Sequence, residues 1–258
     1  MKIVYIKHYI FGLFTLLTLA GLISVPVSAL TSNNITTKAD KSSNDVATSA
    51  DRLQLIISHG NTEIERRLTT LKALDSKIAS ATKLSSSDSS QLTNNVNSDI
   101  SQLTTLKTQL DGATTISAAI SDTRAVILDY RVYVLLVPQV NLIKTAGDQQ
   151  ATEAKLTNLA DKLSSRLTTD SQAGADVASL ESLLSDLNSK VKAAQGISSS
   201  IETGVISLTP SDYNTNHDVL SGDRNQLETA QSDIKGAISD AQSIISQLKN
   251  SSTSSSAK

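Results

Sequence analysis

The sequence predicts an all-α protein, built as an elongated antiparallel up-and-down bundle of five or six long helices. Apolar residues recur at steps of three and four along most of the 258-residue chain, which places them on one side of a helix. The alternation typical of strands does not occur. Helix-start residues and glycines divide the chain into long segments with short connections, and such connections are typical of antiparallel neighbours in a bundle.

The N-terminus has the composition of a secretory signal peptide. Two lysines precede an apolar run from Ile10 to Ile23, Pro26 follows it, and a Val-Ser-Ala sequence ends at Ala29. We therefore predict cleavage after Ala29 and an exported protein, either extracellular or associated with the cell envelope. The alternative is an uncleaved anchor, but the run is shorter than the roughly 20 residues that span a bilayer. No second run of that length follows, so no integral membrane span is expected after cleavage.

These patterns divide the chain into four regions. Residues 1–29 are the predicted signal peptide, and residues 30–44 are a polar, aperiodic stalk that we expect to be disordered. Residues 45–249 form the predicted helical-bundle domain. Residues 250–258 are a Ser-rich tail, which we also expect to be disordered.

The composition disfavours several partners. The predicted leader contains two of the 23 Lys and Arg residues and none of the 25 Asp and Glu residues, so the remaining chain has a net charge of −4. Nucleic acid is therefore not an expected partner, because its binding depends mostly on neutralising phosphates. The chain has no Cys, which excludes disulfides and thiolate metal sites. Leu, Ile, Val and Ala are expected to build the core.

No grouping of residues has the spacing of a catalytic or cofactor-binding motif. After cleavage only His59 and His217 remain, and they belong to different predicted helices. The glycine patterns of phosphate-binding loops and of nucleophile elbows are absent. Glu63 and Glu65 point to different faces of one helix. We therefore predict a protein that is not an enzyme and has no cofactor and no metal.

The first two helices follow from apolar spacing and caps. Apolar residues place one helix between Ala47 and Thr82, and Gly60 within its stripe would permit a neighbouring backbone to approach closely. Ser85, with Asp88 three residues later, has the pattern of a capping box at the start of a second helix. That helix is expected to stop at Gly112.

The remaining helices are separated by proline and glycine. Helices are predicted from Ile116 to Val137 and from Pro138 to Ala173, joined or kinked at Pro138 because proline lacks the N–H of a helical bond. Gly174 is placed to end the second of these. Asp176 caps the next helix, which runs to about Ile206, and Thr209 then caps a helix that starts with proline.

Two segments of the chain resemble each other when aligned without gaps. Residues 84–113 and 208–237 each follow a long amphipathic helix. A diverged duplication of a helical hairpin accounts for this, and so does convergence of two capped helices of similar composition. The shared pairs are Leu84/Leu208, Ser87/Ser211, Asp88/Asp212, Asp99/Asp223, Gln102/Gln226, Leu103/Leu227, Gly112/Gly236 and Ala113/Ala237.

The densely apolar stretch "DYRVYVLLVPQVNLI" is the candidate functional segment. Its spacing places Tyr130, Tyr133, Val137 and Val140 on one stripe of a helix. A second apolar face follows from Leu128, Val132, Leu135 and Leu142.

This segment has three interpretations. A helix apolar on two faces is normally buried, so the stripe fits the central helix of the bundle, with Gln139 and Asn141 as buried or half-buried amides. Alternatively, its tyrosines form a surface for a partner or for a second copy of the chain. A membrane contact is the third interpretation, but few basic residues lie nearby.

The sequence also resembles a known group of proteins. The stretches "DRLQLIISHGNTEIERRLTTLKALDSKI", "DYRVYVLLVPQVNLI" and "LTPSDY", together with the leader, resemble a family of predicted bacterial exported all-helical, coiled-coil-like proteins. The resemblance covers nearly all of the chain after the leader. It implies an all-helical exported protein and transfers no catalytic or binding residue.

The expected function is therefore structural. We expect a non-enzymatic, exported helical-bundle protein with a structural, scaffolding or adhesive role at the cell envelope. Its expected partner is a second copy or another envelope protein. The alternative is an extracytoplasmic binding module that uses the Tyr130/Tyr133 stripe to hold an apolar client, a lipid or a peptide.

Overall fold

A computed structural model describes residues 48–255, and every regular element in that range is helical, which confirms the all-α class. The predicted leader 1–29 and stalk 30–44 lie outside these residues. The elements are α1 (Ser49–Ala79), α2 (Ser86–Asp111), α3 (Ile116–Leu128), a π-helical segment (Val132–Leu136), α4 (Val137–Gln172), α5 (Ala178–Val205), α6 (Pro210–Thr215) and α7 (Asp223–Ser255).

Side-chain caps start most of these helices where the sequence predicts. The Ser85 hydroxyl accepts a hydrogen bond from the Asp88 N–H at 3.0 Å and starts α2. Thr209 and Asp212 form a reciprocal capping box at α6. Asp176 bonds the Ala178 N–H at 3.2 Å, but the N-cap position of α5 belongs to the following valine, one residue later than predicted.

The two segments that resemble each other in sequence differ in structure. Residues 86–111 form one helix, whereas the corresponding stretch is split into α6 and α7. Asn216 accepts a bond from the Asp218 N–H at 3.0 Å, and Gly222 has a φ of 93°, a left-handed conformation that glycine adopts without strain. A turn at 216–222 therefore interrupts the second segment.

The last helix extends beyond the boundary predicted at residue 249. It runs to Ser255 and so covers most of the segment predicted as a disordered Ser-rich tail. Each residue added to an existing helix gains a backbone hydrogen bond, so a polar end can continue a helix that is already formed. The Ser251 hydroxyl also donates to the Gln247 carbonyl at 3.0 Å.

A first group of helices consists of α1, α2 and α3, which contact one another. Asn61 donates to Asp111 at 2.6 Å, and Lys107 lies 3.8 Å from Glu65, so α1 and α2 run antiparallel. We call the chain from α3 to the end of α4 the run. Hydrogen bonds from α1 to the run join residues 63 or 64 positions apart, such as Lys77 and an asparagine of α4. A constant offset of this kind means that α1 is parallel to that run.

A second group consists of α4, α5 and α7, which also contact one another. Hydrogen bonds join Gln139 to Val205 and Gln195 to Thr157, so α4 and α5 run antiparallel. Lys190 of α5 pairs with an aspartate of α7 at 2.6 Å. The run from α3 to α4 thus contacts one pair of helices along its first half and another along its second half.

The core consists of aliphatic side chains, as the composition predicts. The first group buries Ile64, Leu71, Leu92, Leu103 and Leu110 completely or nearly so, and the second does the same with Leu156, Leu163, Leu167, Leu187 and Ile234. Burying one such side chain contributes roughly 1.5–3 kcal/mol to the free energy of unfolding.

Two buried glycines permit close contacts between elements. A Cβ atom at Gly60 would lie 2.5 Å from Leu110 Cδ2 and 2.7 Å from Thr123 Oγ1, so side chains of α2 and α3 occupy the space. The sequence predicts a backbone approach at this glycine. A backbone approach occurs instead at Gly147, where a Cβ would lie 3.0 Å from the carbonyl oxygen of Lys83.

We predict that Gly60→Ala destabilises the protein although alanine favours helix. The added methyl group overpacks the α1–α2–α3 contact, which costs about 1–3 kcal/mol and exceeds the gain in helix propensity of about 1 kcal/mol. Gly196→Ala is the matched control, because that helical position has no atom within 4 Å of a Cβ and should gain stability. Urea unfolding measures both. An equal gain in both variants would contradict the close contact.

Candidate functional site

The predicted stripe is divided between two environments. Tyr130 and Val140 belong to the core, with exposed fractions of 9% and 1%. Val137 is half-buried and packs against the same core. Tyr133 is 40% exposed. The two tyrosines that the sequence places on one stripe therefore face different surroundings.

An interruption of the helix separates the two tyrosines. The α3 helix ends at Leu128, and the Val132 N–H donates to the Tyr130 carbonyl at 2.8 Å, two residues back. In the following π segment, the Leu136 N–H donates to the Arg131 carbonyl five residues back, at 3.2 Å. A π turn contains more residues than an α turn, so the spacing of three and four no longer selects one face.

Pro138 is the second residue of α4 and lies just after this interruption. Within a continuous α-helix its ring would clash with the carbonyl of Val134, four residues back. Here the preceding Val137 N–H bonds to Val132, five residues back, so a wide turn leads into the proline. The irregular backbone thus spans residues 129–136, on the N-terminal side of the predicted kink.

The hydroxyl of Tyr130 lies in an acidic environment beneath this interruption. It donates to the Gln102 side-chain oxygen at 3.4 Å. Burial raises the pKa of Tyr130, and the charges of Asp99 and Asp129 raise it further. Burial also raises the pKa of Asp99 to about 6. Tyr130 is therefore a buried core residue whose hydroxyl is hydrogen-bonded to Gln102.

Gln139 connects α4 to the end of α5. Its side chain is 1% exposed, and its amide nitrogen donates to the Val205 carbonyl at 2.6 Å and lies 3.1 Å from the Leu208 carbonyl. The last carbonyls of a helix have no partner within the helix, so this amide caps α5 from a neighbouring element. The sequence indicates a buried amide here, but not its partners.

An exposed apolar surface lies on α3 and the π segment. It consists of Ile120, Ile127, Leu128, Tyr133 and Val134, each 40–43% exposed, and we call these five side chains the apolar surface. The first two are seven residues apart, which is two helical turns. Sequence reasoning missed both isoleucines, although their seven-residue spacing in a predicted helix was a visible signal. Leu55, which is 71% exposed, belongs to α1 instead.

Tyr133 is held in place by α1. The guanidinium of Arg67 lies 5.3 Å from the centre of the tyrosine ring, and the tyrosine hydroxyl is 3.5 Å from the Thr70 hydroxyl. Arg67 is itself nearly buried and bonds the Glu63 carboxylate at 2.7 Å. Burial acts to raise the pKa of Glu63, but hydrogen bonds from Arg67 and Arg66 outweigh it and lower the pKa. An exposed aromatic side chain is thus fixed by an ion-pair network.

The short α6 helix covers the interruption. Asn214 donates from its amide nitrogen to the Leu128 carbonyl at 3.0 Å, and its amide oxygen accepts from Arg131 at 2.7 Å. The Arg131 guanidinium also lies 5.5 Å from the Tyr213 ring centre. Since the Val132 N–H bonds elsewhere, Asn214 supplies the partner that Leu128 would otherwise have in a helix. Sequence reasoning missed this contact between distant segments.

Three general findings bear on the site. The helical run Ile116–Gln172 is long and apolar enough to cross a membrane, a property that buried core helices share. Within residues 48–255, no three His, Asp or Glu side chains are grouped so that they could hold a metal ion. No protein-family model, curated protein or solved structure matches the chain.

We predict that Gln139→Leu lowers the free energy of unfolding by about 1–3 kcal/mol, because the Leu208 carbonyl loses its bond from the amide and the Val205 carbonyl keeps only the 3.2 Å bond from the Leu208 N–H. Gln109→Leu is the matched control, since that glutamine is exposed on α2. Urea unfolding compares the two variants, and hydrogen exchange at residues 201–206 localises the effect. Equal stability of both variants would show that the amide does not cap α5.

Proposed function

We propose that the protein is a non-enzymatic, exported helical protein with a structural, scaffolding or adhesive role at the cell envelope. It associates with a second copy through the apolar surface. The observation that carries this proposal is the exposure of five large apolar side chains on α3 and the π segment, of which Tyr133 is held by Arg67. The leader-like N-terminus supports export.

The arrangement of Tyr133 favours association over incidental exposure. Aromatic side chains in well-packed positions contribute most of the energy of many interfaces. Arg67 and Thr70 already restrict the tyrosine, so binding would cost little additional side-chain entropy. Apolar patches of about 300–600 Å² are the largest on typical monomers and often have a function.

We also propose an elongated antiparallel up-and-down bundle for the whole helical domain. Its two hairpins, α1–α2 and α5–α7, would pack on successive halves of the run from Ile116 to Gln172. The first helix of one hairpin is parallel to the run and the first helix of the other is antiparallel to it. A twofold axis perpendicular to the run relates such hairpins, which supports a diverged duplication.

We predict that the average mass of residues 30–258 rises with concentration in light scattering, and that Tyr133→Ser and Ile127→Ser each weaken this association about tenfold or more. Both variants should remain folded, because both side chains are partly exposed. Leu55→Ser is the matched control, since it removes a more exposed leucine outside the apolar surface. A monomer at every concentration would refute self-association, and equal effects of all three variants would refute its assignment to this surface.

A second candidate is an extracytoplasmic binding module for an apolar client, a lipid or a peptide. It is favoured by the apolar run Ile116–Gln172 and by the interruption beside Tyr133. Tyr130 is buried, so a client that used both tyrosines would require this region to open.

We predict for this candidate that a hydrophobic dye fluoresces strongly with the native protein at concentrations where it is monomeric. Tyr133→Ser should reduce the fluorescence, because the serine removes the exposed ring, whereas Leu55→Ser should not. A dye that remains dark with the native protein would exclude the binding module and leave self-association unaffected.

A further inference from the structure

A buried polar cluster joins α4, α5 and α7 inside the second group of helices. It consists of the side chains of Gln149 and Glu153 from α4, the Ser198 hydroxyl of α5 and the Leu227 carbonyl of α7. The three side chains are each at most 4% exposed, and that of Glu153 is 1% exposed. A glutamate is rarely buried to this degree unless it is paired. None of the ion pairs among residues 48–255 includes Glu153.

The cluster is one hydrogen short when Glu153 is ionised. The Ser198 Oγ atom lies 2.8 Å from Oε1 of Glu153 and 3.2 Å from Oε1 of Gln149. The amide nitrogen of Gln149 donates to the Leu227 carbonyl at 2.8 Å, so its oxygen is the atom that faces the serine. A hydroxyl has a single hydrogen, whereas a carboxylate and an amide oxygen only accept. A proton on Glu153 therefore supplies the hydrogen that satisfies both contacts.

We propose that Glu153 binds a proton in the folded protein, and that this proton completes a hydrogen-bond chain through which α4 holds α5 and α7. In the complete chain Glu153 donates to Ser198, Ser198 donates to the Gln149 oxygen, and the Gln149 nitrogen donates to the Leu227 carbonyl. Loss of the proton turns the serine hydroxyl towards the carboxylate and leaves the amide oxygen without its donor. It also places a negative charge between three helices, so their contact loosens. This device is independent of the apolar surface and of self-association.

The charged residues around the cluster do not offset a charge on Glu153. Lys144 pairs with Asp148 at 2.6 Å, and Arg224 lies 3.4 Å from Glu228. Lys155 is two positions from Glu153, which is about 200° around the α4 axis. The charged residues within five positions of the cluster's members are Lys144, Asp148 and Lys155 on α4, Glu202 on α5, and Asp223, Arg224 and Glu228 on α7.

Two acidic residues and one connection complete these surroundings. Glu202 and Asp223 are acidic, and a nearby negative charge disfavours a further one. The α1–α2 connection approaches α4 where the Lys83 carbonyl meets Gly147. That point is six positions from Glu153, or about 9 Å along the helix. The nearby cations are thus paired, directed elsewhere or distant along α4.

The direction of the pH effect follows from burial and agrees with the hydrogen count. Burial raises the pKa of Glu153, and the bond that the Ser198 hydroxyl donates to the ionised form offsets this only in part. The folded protein therefore binds this proton more tightly than the unfolded chain does. The resulting stability is fully present below the ordinary glutamate pKa of about 4.3. It is lost as the pH rises through the raised pKa of the folded state.

The experiment compares urea unfolding of the full chain and of Glu153→Gln at about pH 4 and about pH 8, on either side of a raised glutamate pKa. Glutamine cannot ionise and offers an N–H donor to Ser198, so it represents the protonated form. The unfolding equilibrium constant of the wild type, divided by that of Glu153→Gln, should rise about tenfold with pH, the equivalent of one pKa unit. Contributions from the other titrating groups cancel in this ratio.

The matched control is Glu181→Gln, which removes an exposed carboxylate of α5 and should leave the pH dependence of the wild type in place. A ratio of wild type to Glu153→Gln that stays constant or falls as the pH rises would overturn the proposal.

A second measurement follows the proton itself and needs no variant to fold. NMR titrates the side-chain carboxyl carbon of Glu153 in the folded wild type and in the urea-unfolded chain. The folded midpoint should lie at the higher pH, and a folded midpoint at or below the unfolded one would overturn the proposal. Ser198→Ala should raise the midpoint further, because the ionised carboxyl loses its donor. Ser200→Ala, at an exposed position of the same helix, should leave it unchanged. Equal midpoints in the two serine variants would refute the role of Ser198.

Discussion

The structure depends on one constraint: the run from Ile116 to Gln172 must be covered by different helices along its two halves. Its first half contacts α1 and α2, and its second half contacts α5 and α7. A single unbroken α-helix would have to keep its apolar faces aligned with both pairs and also accommodate Pro138. The π segment before Pro138 meets both requirements. It rotates the apolar faces of α4 relative to those of α3, and its wide turn takes the place of the α-helical turn whose carbonyl would clash with the proline ring.

The interruption also explains why apolar side chains remain exposed where they do. Around it, some backbone groups of the run lack their helical partners, and Asn214 of the distant α6 donates to the Leu128 carbonyl and accepts from the Arg131 side chain. On the other side Tyr133 is held by Arg67, while Ile120 and Ile127 of α3 are each 43% exposed. An exposed apolar surface with a restricted aromatic side chain is what the proposed association would require.

Much of the fold is predictable from local patterns, and the rest depends on contacts between distant residues. Ser85 and Thr209 mark helix starts because a cap acts within three residues. The different fates of Tyr130 and Tyr133 were not predictable, because a π turn has no sequence signature comparable to a cap. Gln139 was recognisable as a buried amide, but its carbonyl partners lie 66 or more residues away.

The π segment also determines how far α3 is rotated about the helix axis relative to α4. Each residue of an α-helix advances its side chains by about 100° around the axis. Deleting one residue between positions 129 and 136 would therefore turn the faces of α3, with the hairpin they hold, by about that angle relative to α4. The length of this short segment thus sets the orientation of the two hairpins relative to each other, and an insertion or deletion there would also displace the core residues Tyr130, Val132 and Leu136.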